Sequence, residues 1–132
     1  MAFFDAQHDL NTLTQTLESH GSLVVACYCA AWCRTCTEYR PGFEALSVRY
    51  PDLLFVWVDI EECEALLDDE DIENFPTLLV QSATGNLFFG PLPPHPEQLD
   101  RILQSALESG VKSSAITAEG PGPLLQLLRN NE

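Results

Sequence analysis

Apolar side chains change their spacing several times along this chain of 132 residues. Ala6, Leu10, Leu13 and Leu17 recur at helical intervals behind Asp5, a residue suited to cap a helix, and Gly21 stands where that helix would stop. From Leu23 to Ala30 nearly every side chain is apolar, the pattern of a strand buried on both faces. The period then lengthens. Tyr39, Phe43, Leu46 and Tyr50 mark one face of a helix that begins near Cys33 or Arg34, and Pro41 falls inside it, where it removes a hydrogen bond and should kink it. Leu53 to Ile60 reads as a second buried strand and Thr77 to Gln81 as a third. Thr84-Gly85-Asn86 then supplies a turn and Leu87 to Phe89 its hairpin partner. Pro91, Pro93, Pro94 and Pro96 forbid regular structure until Glu97. Leu99, Ile102, Leu103, Ala106 and Leu107 follow as the cleanest amphipathic helix, ended by Gly110.

Strand, helix, strand, hairpin and terminal helix predict an α/β domain with a mixed sheet covered on both faces, over residues 1–110. Residues 111–132 are rich in Ser, Ala, Gly and Pro around one apolar knot, Leu124-Leu125-Gln126-Leu127-Leu128. They read as a C-terminal tail with a short helical segment, which either docks on the domain's own surface or is offered to another chain.

Charge narrows the partners. Twenty acidic side chains face six basic ones, a balance that argues against nucleic acid and anionic membranes, because binding phosphate needs cations. Between Asp59 and Glu73 nine of fifteen residues are acidic and none is basic, which reads as a short surface helix and a loop able to steer basic partners. No apolar run is long enough to span a bilayer, and the first residues lack the pattern of a secretory leader. A cytoplasmic, reducing compartment is the expectation.

Cysteine placement carries the chemistry. Of five cysteines, Cys27, Cys29, Cys33 and Cys36 crowd into ten residues, with Cys63 apart. A secreted disulfide framework would spread and pair them, so a redox or metal function fits better. Cys33 falls where a strand gives way to a helix, so free backbone N–H groups and the helix dipole favour an anion there. Three residues on, Cys36 lies one turn away, close enough to close a small disulfide ring. The pair can cycle: Cys33 attacks a partner disulfide, and Cys36 attacks the mixed disulfide and releases the reduced partner. Zinc knuckles share the spacing but normally need a second pair and strand-poor surroundings.

Ala31-Trp32-Cys33-Arg34-Thr35-Cys36 resembles the active-site segment of the thioredoxin family. Pro41 falls on that family's helix-kinking proline, and Phe75-Pro76-Thr77 resembles the loop whose proline is cis and packs beside the dithiol. The similarity covers about residues 2 to 109, with the family's first strand reduced at best to Ala2-Phe3-Phe4. It implies a thioredoxin fold and a thiol–disulfide oxidoreductase of redox homeostasis with Cys33 as nucleophile and Cys36 as resolving thiol. The redox-active disulfide Cys33–Cys36 would stand in place of any cofactor or metal. Trp32, Arg34, Thr35, Phe75 and Pro76 would form the substrate-contacting surface, with the backbone of Phe75 pairing to an extended substrate. Partners would be proteins with disulfides and a flavoprotein of the thioredoxin-reductase type.

Departures from the family pattern raise further expectations. Arg34-Thr35 replaces the usual Gly-Pro, placing a cation beside Cys33 that should favour its thiolate. Cys27 stands where the family commonly keeps a buried aspartate, whose lysine partner aligns with Trp57. Loss of that base predicts slow resolution by Cys36. Cys27 and Cys29, two apart on a strand, should face the same way. The plain reading makes them small core residues. An auxiliary thiol relay beneath the dithiol and a four-sulfur metal site remain as alternatives. Cys63, set among carboxylates, reads as a bystander. His8, His20 and His95 are scattered and receive no role. The competing function is a non-catalytic, redox-sensing interaction module on the same fold.

Overall fold

A computed structural model of the protein describes residues 3–6, 8, 10–19, 23–67, 70, 72–82, 85–108, 120–122 and 124–130. Gly21, Thr84, Gly110 and residues 111–119, read above as stop, turn or tail positions, lie outside these. Five strands form one sheet: β1 (Phe3–Asp5), β2 (Val24–Cys29), β3 (Leu54–Asp59), β4 (Thr77–Ser82) and β5 (Gly85–Pro91). Their order is β1-β3-β2-β4-β5, with β1, β3 and β2 parallel and β4 and β5 antiparallel to their neighbours. The helices are α1 (Leu10–Ser19), α2 (Arg34–Arg49), α3 (Pro96–Glu108) and α4 (Leu124–Asn130), with a 3-10 helix at Glu64–Leu67. Parallel neighbours β2 and β3 need a crossover, and α2 supplies it.

Residues of β2 are buried along its whole length, and their alternation divides the core. Val25, Cys27 and Cys29 face one layer with Tyr39, Phe43 and Leu46 of α2 and Leu99 and Leu103 of α3. Val24, Ala26 and Tyr28 face the other, with Leu13 of α1, Leu66 of the 3-10 helix and Leu124 of α4. Phe43 anchors the first layer, its ring edge-on to Phe55 at 5.2 Å and tilted against Trp57 at 5.8 Å.

The N-terminus departs from expectation. Asp5 does not cap a helix that starts at Ala6. It ends β1, which pairs with β3 through Phe3, Phe4 and Asp5, and its carboxylate takes a hydrogen bond from Arg40 at 3.0 Å. Short, half-buried and at the sheet edge, this strand is too brief to show a period, whereas the helical pattern behind it is long enough to absorb it.

At the opposite edge, the described end of the chain packs onto the sheet. Buried Gln81 of β4 donates to the Gly122 carbonyl at 3.0 Å and accepts from the Leu124 amide at 3.1 Å. Buried Asn86 donates to the Pro121 carbonyl at 2.9 Å, and Leu124 is sealed into the core.

Candidate functional site

The end of β2 and the start of α2 assemble the cysteines. After Cys29 the chain leaves the sheet, the Cys33 amide closes a turn onto the Ala30 carbonyl at 3.0 Å, and α2 begins at Arg34. Cys33 is the N-cap, in extended conformation and with no side-chain cap bond, so its sulfur is uncommitted to the helix. Its carbonyl receives the Thr37 amide at 3.2 Å, and the residue is partly exposed.

Cys36 points inward and is 1% exposed. Its partner in this structure is Cys29, not Cys33: the disulfide joins Cys29 to Cys36 across seven residues, with Cα atoms 5.7 Å apart, and Cys33 is a free thiol. The expected Cys33–Cys36 bond is therefore absent from the oxidation state described here. The reason is geometric. The last inward position of β2 lies directly beneath the first turn of α2, so the strand thiol meets the inward helix thiol while the N-cap thiol stays at the rim.

Cys27, equally buried, stands behind this disulfide with its sulfur 3.8 Å from that of Cys29. Burial pushes the Cys27 thiol well up, so it remains a neutral, weak S–H donor. Cys27 and Cys29 do share a face, as their spacing predicts. Among the described residues no group of three or more His, Cys, Asp or Glu side chains is placed to hold a metal. Cys63 is half-buried after β3, with its thiol pushed up to about 11, chiefly by burial and then by neighbouring carboxylates.

The rim around Cys33 is aromatic. Trp32 is 68% exposed, and its ring meets that of Phe75 edge-on at 5.6 Å. Phe75 precedes Pro76 through a cis peptide bond, and Pro76 leads directly into β4. Thr77 steadies this loop by donating to the Asn74 carbonyl at 2.6 Å. Phe75 also packs on the cluster that contains Cys33 and Cys36, which brings the two sequence-distant segments to one edge. Arg34 extends into solvent and pairs with Glu38 at 3.3 Å. Thr35 is half-buried beside Cys36 in the chain.

Arg40, which the sequence did not single out, joins residues noted for other reasons on the far side of Cys36. A cavity of about 310 Å³ is lined by Cys36, Thr37, Arg40, Trp57, Asp5 and Asp59, among others. Arg40 bonds Asp5 and Glu44 and lies over the rings of Trp57 at 5.2 Å and Phe3 at 5.4 Å. Asp59 accepts the amides of Glu61 and Glu62. Trp57 pairs opposite Cys27, so two uncharged residues occupy neighbouring strands where the family pattern has a charged pair. An arginine followed by a carboxylate four residues on is a common surface pattern, and nothing in the sequence joined it to Asp5.

The thioredoxin family model matches residues 6–88 of this chain. The chain belongs to the thioredoxin family. It is 39% identical to Thioredoxin H5 of Oryza sativa subsp. japonica over 69 residues, covering 52% of this chain and 50% of the rice protein. It is 36% identical to Thioredoxin domain-containing protein 2 of Rattus norvegicus over 70 residues, which is 52% of this chain and 13% of that protein. The chain thus spans half or less of the length of these curated relatives. Among solved structures it superposes on a poplar thioredoxin h with a TM-score of 0.69 at 19% identity, covering 82% of this chain and 98% of the other. Thioredoxin of Schistosoma mansoni, in its reduced pre-protein form, gives 0.66 at 22% identity over 80% of this chain and 98% of that one. These likenesses establish the thioredoxin fold.

Proposed function

We propose that this chain is a thiol–disulfide oxidoreductase that reduces or exchanges disulfides of other proteins, with Cys33 as nucleophile. The observation that carries this reading is the free thiol of the partly exposed Cys33 at the N-cap of α2, beside Trp32 and on the same cluster as Phe75. Its family membership supports it. In the reaction, Cys33 as thiolate attacks one sulfur of a substrate disulfide. A mixed disulfide forms, and the departing substrate sulfur takes up a proton. Cys36, once reduced, attacks the Cys33 sulfur, forms Cys33–Cys36 and releases the second substrate thiol. Trp32, Arg34, Thr35, Phe75 and Pro76 line the surface that receives the substrate backbone. The family context supports recharging by a flavoprotein of the thioredoxin-reductase type, and residence in the cytoplasm. Among the described residues no helix is long and apolar enough to cross a membrane.

Insulin reduction in the presence of dithiothreitol tests the reading. Cys33→Ser should fall to the uncatalysed rate, and Cys36→Ser, reduced and then freed of dithiothreitol before insulin is added, should leave substrate covalently attached through Cys33. Equal rates for wild type and Cys33→Ser would instead favour the redox-sensing interaction module.

A further inference from the structure

We infer that Cys29 is a third redox-active cysteine, which takes Cys36 from Cys33 after each turnover and returns Cys33 to the surface as a free thiol. The inference rests on the oxidoreductase reading and concerns the same site. Three sulfurs meet there with unequal surroundings. Cys29 and Cys36 are each 1% exposed and are bonded to each other, whereas Cys33 is partly exposed and free. Cys36 is within one helical turn of Cys33 on one side and bonded to the strand thiol on the other, so it is the sulfur common to both pairings.

The step is an internal exchange. Turnover leaves Cys33 and Cys36 joined. The Cys29 sulfur attacks Cys36, the Cys29–Cys36 bond forms, and the Cys36–Cys33 bond breaks. The electron pair departs with Cys33, which takes the proton that Cys29 gave up. Nothing is oxidised or reduced overall, so no further reagent is needed. Direction follows from solvation: a disulfide is uncharged and suits the apolar layer, while the displaced sulfur is the one that water reaches. Cys27, 3.8 Å behind Cys29, offers a weak S–H contact to the buried sulfur. The consequence is functional. In the Cys29–Cys36 form the protein keeps its nucleophile but has lost its resolving thiol. A partner captured by Cys33 is then held as a lasting mixed disulfide until the buried bond is reduced.

The sequence allows a direct map. Combined trypsin and chymotrypsin cut after Tyr28, Trp32 and Arg34, placing Cys27, Cys29, Cys33 and Cys36 on separate peptides. Reduced wild type is oxidised with stoichiometric insulin, pulsed natively with iodoacetamide, denatured, blocked with N-ethylmaleimide and digested. The expected result is a Cys29 peptide crosslinked to a Cys36 peptide, with carbamidomethyl on Cys33. In Cys29→Ala, with Cys29→Ser as the fallback should that variant not fold, the crosslink moves to Cys33–Cys36. Native labelling of Cys33 then falls by at least roughly tenfold. In Cys33→Ser, insulin should leave Cys29 and Cys36 reduced, because neither is reachable from outside. A wild-type map showing only Cys33–Cys36, with Cys33 protected, overturns the relay while insulin reduction stands. Oxidation of Cys33→Ser by insulin at the wild-type rate also overturns it. Insulin reduction equal in wild type and Cys33→Ser overturns the oxidoreductase reading and, with it, the relay's place in turnover.

Discussion

Among single residues, Tyr39 and Cys63 give the sharpest expectations. Tyr39 lies in the core layer of α2, and its buried hydroxyl has no hydrogen-bond partner among the described residues. Burial, with Cys27 and Glu97 adding charge effects, pushes its phenol up, so it stays neutral and contributes only an unpaid desolvation. Tyr39→Phe keeps the ring contacts and removes the stranded oxygen, and should stabilise the fold by about 1 kcal/mol, read as a higher urea midpoint at unchanged slope. Cys63 carries the opposite lesson for reactivity. With its thiol raised to about 11, it is protonated throughout the neutral range, and its thiolate grows tenfold per pH unit up to that value. Iodoacetamide should therefore label Cys63 slowly at pH 8, with a rate that still climbs beyond pH 10. A plateau below pH 9 would contradict the burial argument.

At the scale of elements, a glycine decides how α2 meets α3. Gly42 sits inside α2, where alanine normally gains roughly 0.5–1 kcal/mol from helix propensity. Here an added Cβ would collide with the ring of Pro96, the first residue of α3. Overpacking costs about 1–3 kcal/mol, so Gly42→Ala should lower the melting temperature despite its better propensity. The C-terminal segment makes a comparable case. Removing residues 120–132 would strip buried Gln81 and Asn86 of their bonds to Gly122, Leu124 and Pro121, leaving the bond between the two side chains, and would uncover the core where Leu124 sits. A loss on the order of 10 °C in melting temperature follows from three lost hydrogen bonds of buried side chains and one apolar side chain.

These elements also show what the sequence disclosed. The continuous apolar runs of β2 and β3 and the helical spacing of Tyr39, Phe43 and Leu46 were legible because each pattern spans several periods. Asp5, the last residue of β1, was misread as a helix cap because three residues carry no period; Phe3 and Phe4 were offered as a strand only by the family resemblance, and the strand character comes from pairing with β3. Docking of the C-terminal segment was one of the two readings its apolar residues allowed, but its anchors on the sheet, Gln81 and Asn86, were not legible because they are polar side chains outside any apolar pattern. The Cys29–Cys36 pairing was hidden for a related reason. Spacing suggests a ring between Cys33 and Cys36, but the packing of a strand end beneath a helix start is tertiary.

Over the whole molecule, charge acts where the chemistry is exposed. The chain carries a net charge of −14, and the acidic stretch after β3 leads straight to the rim of the site: Glu61, Glu62 and Glu64 are exposed, and exposed Glu73 stands two residues before Phe75. Arg34, the cation nearest Cys33 in sequence, is paired with Glu38 and so does not offset this field at full strength. A disulfide substrate with a basic flank should therefore meet an attractive potential as it approaches Trp32 and Cys33, and an acidic one a repulsive potential. Raising salt from about 0.01 M to 1 M shrinks the Debye length from about 30 Å to 3 Å. The reduction rate of a cationic disulfide peptide should fall across that range while that of its anionic counterpart rises, the two converging at high salt. Because screening leaves the covalent step itself untouched, the change should appear in kcat/KM and not in kcat. Parallel salt curves for the two peptides would place the acidic surface outside substrate approach, and with it the idea that this charge selects partners.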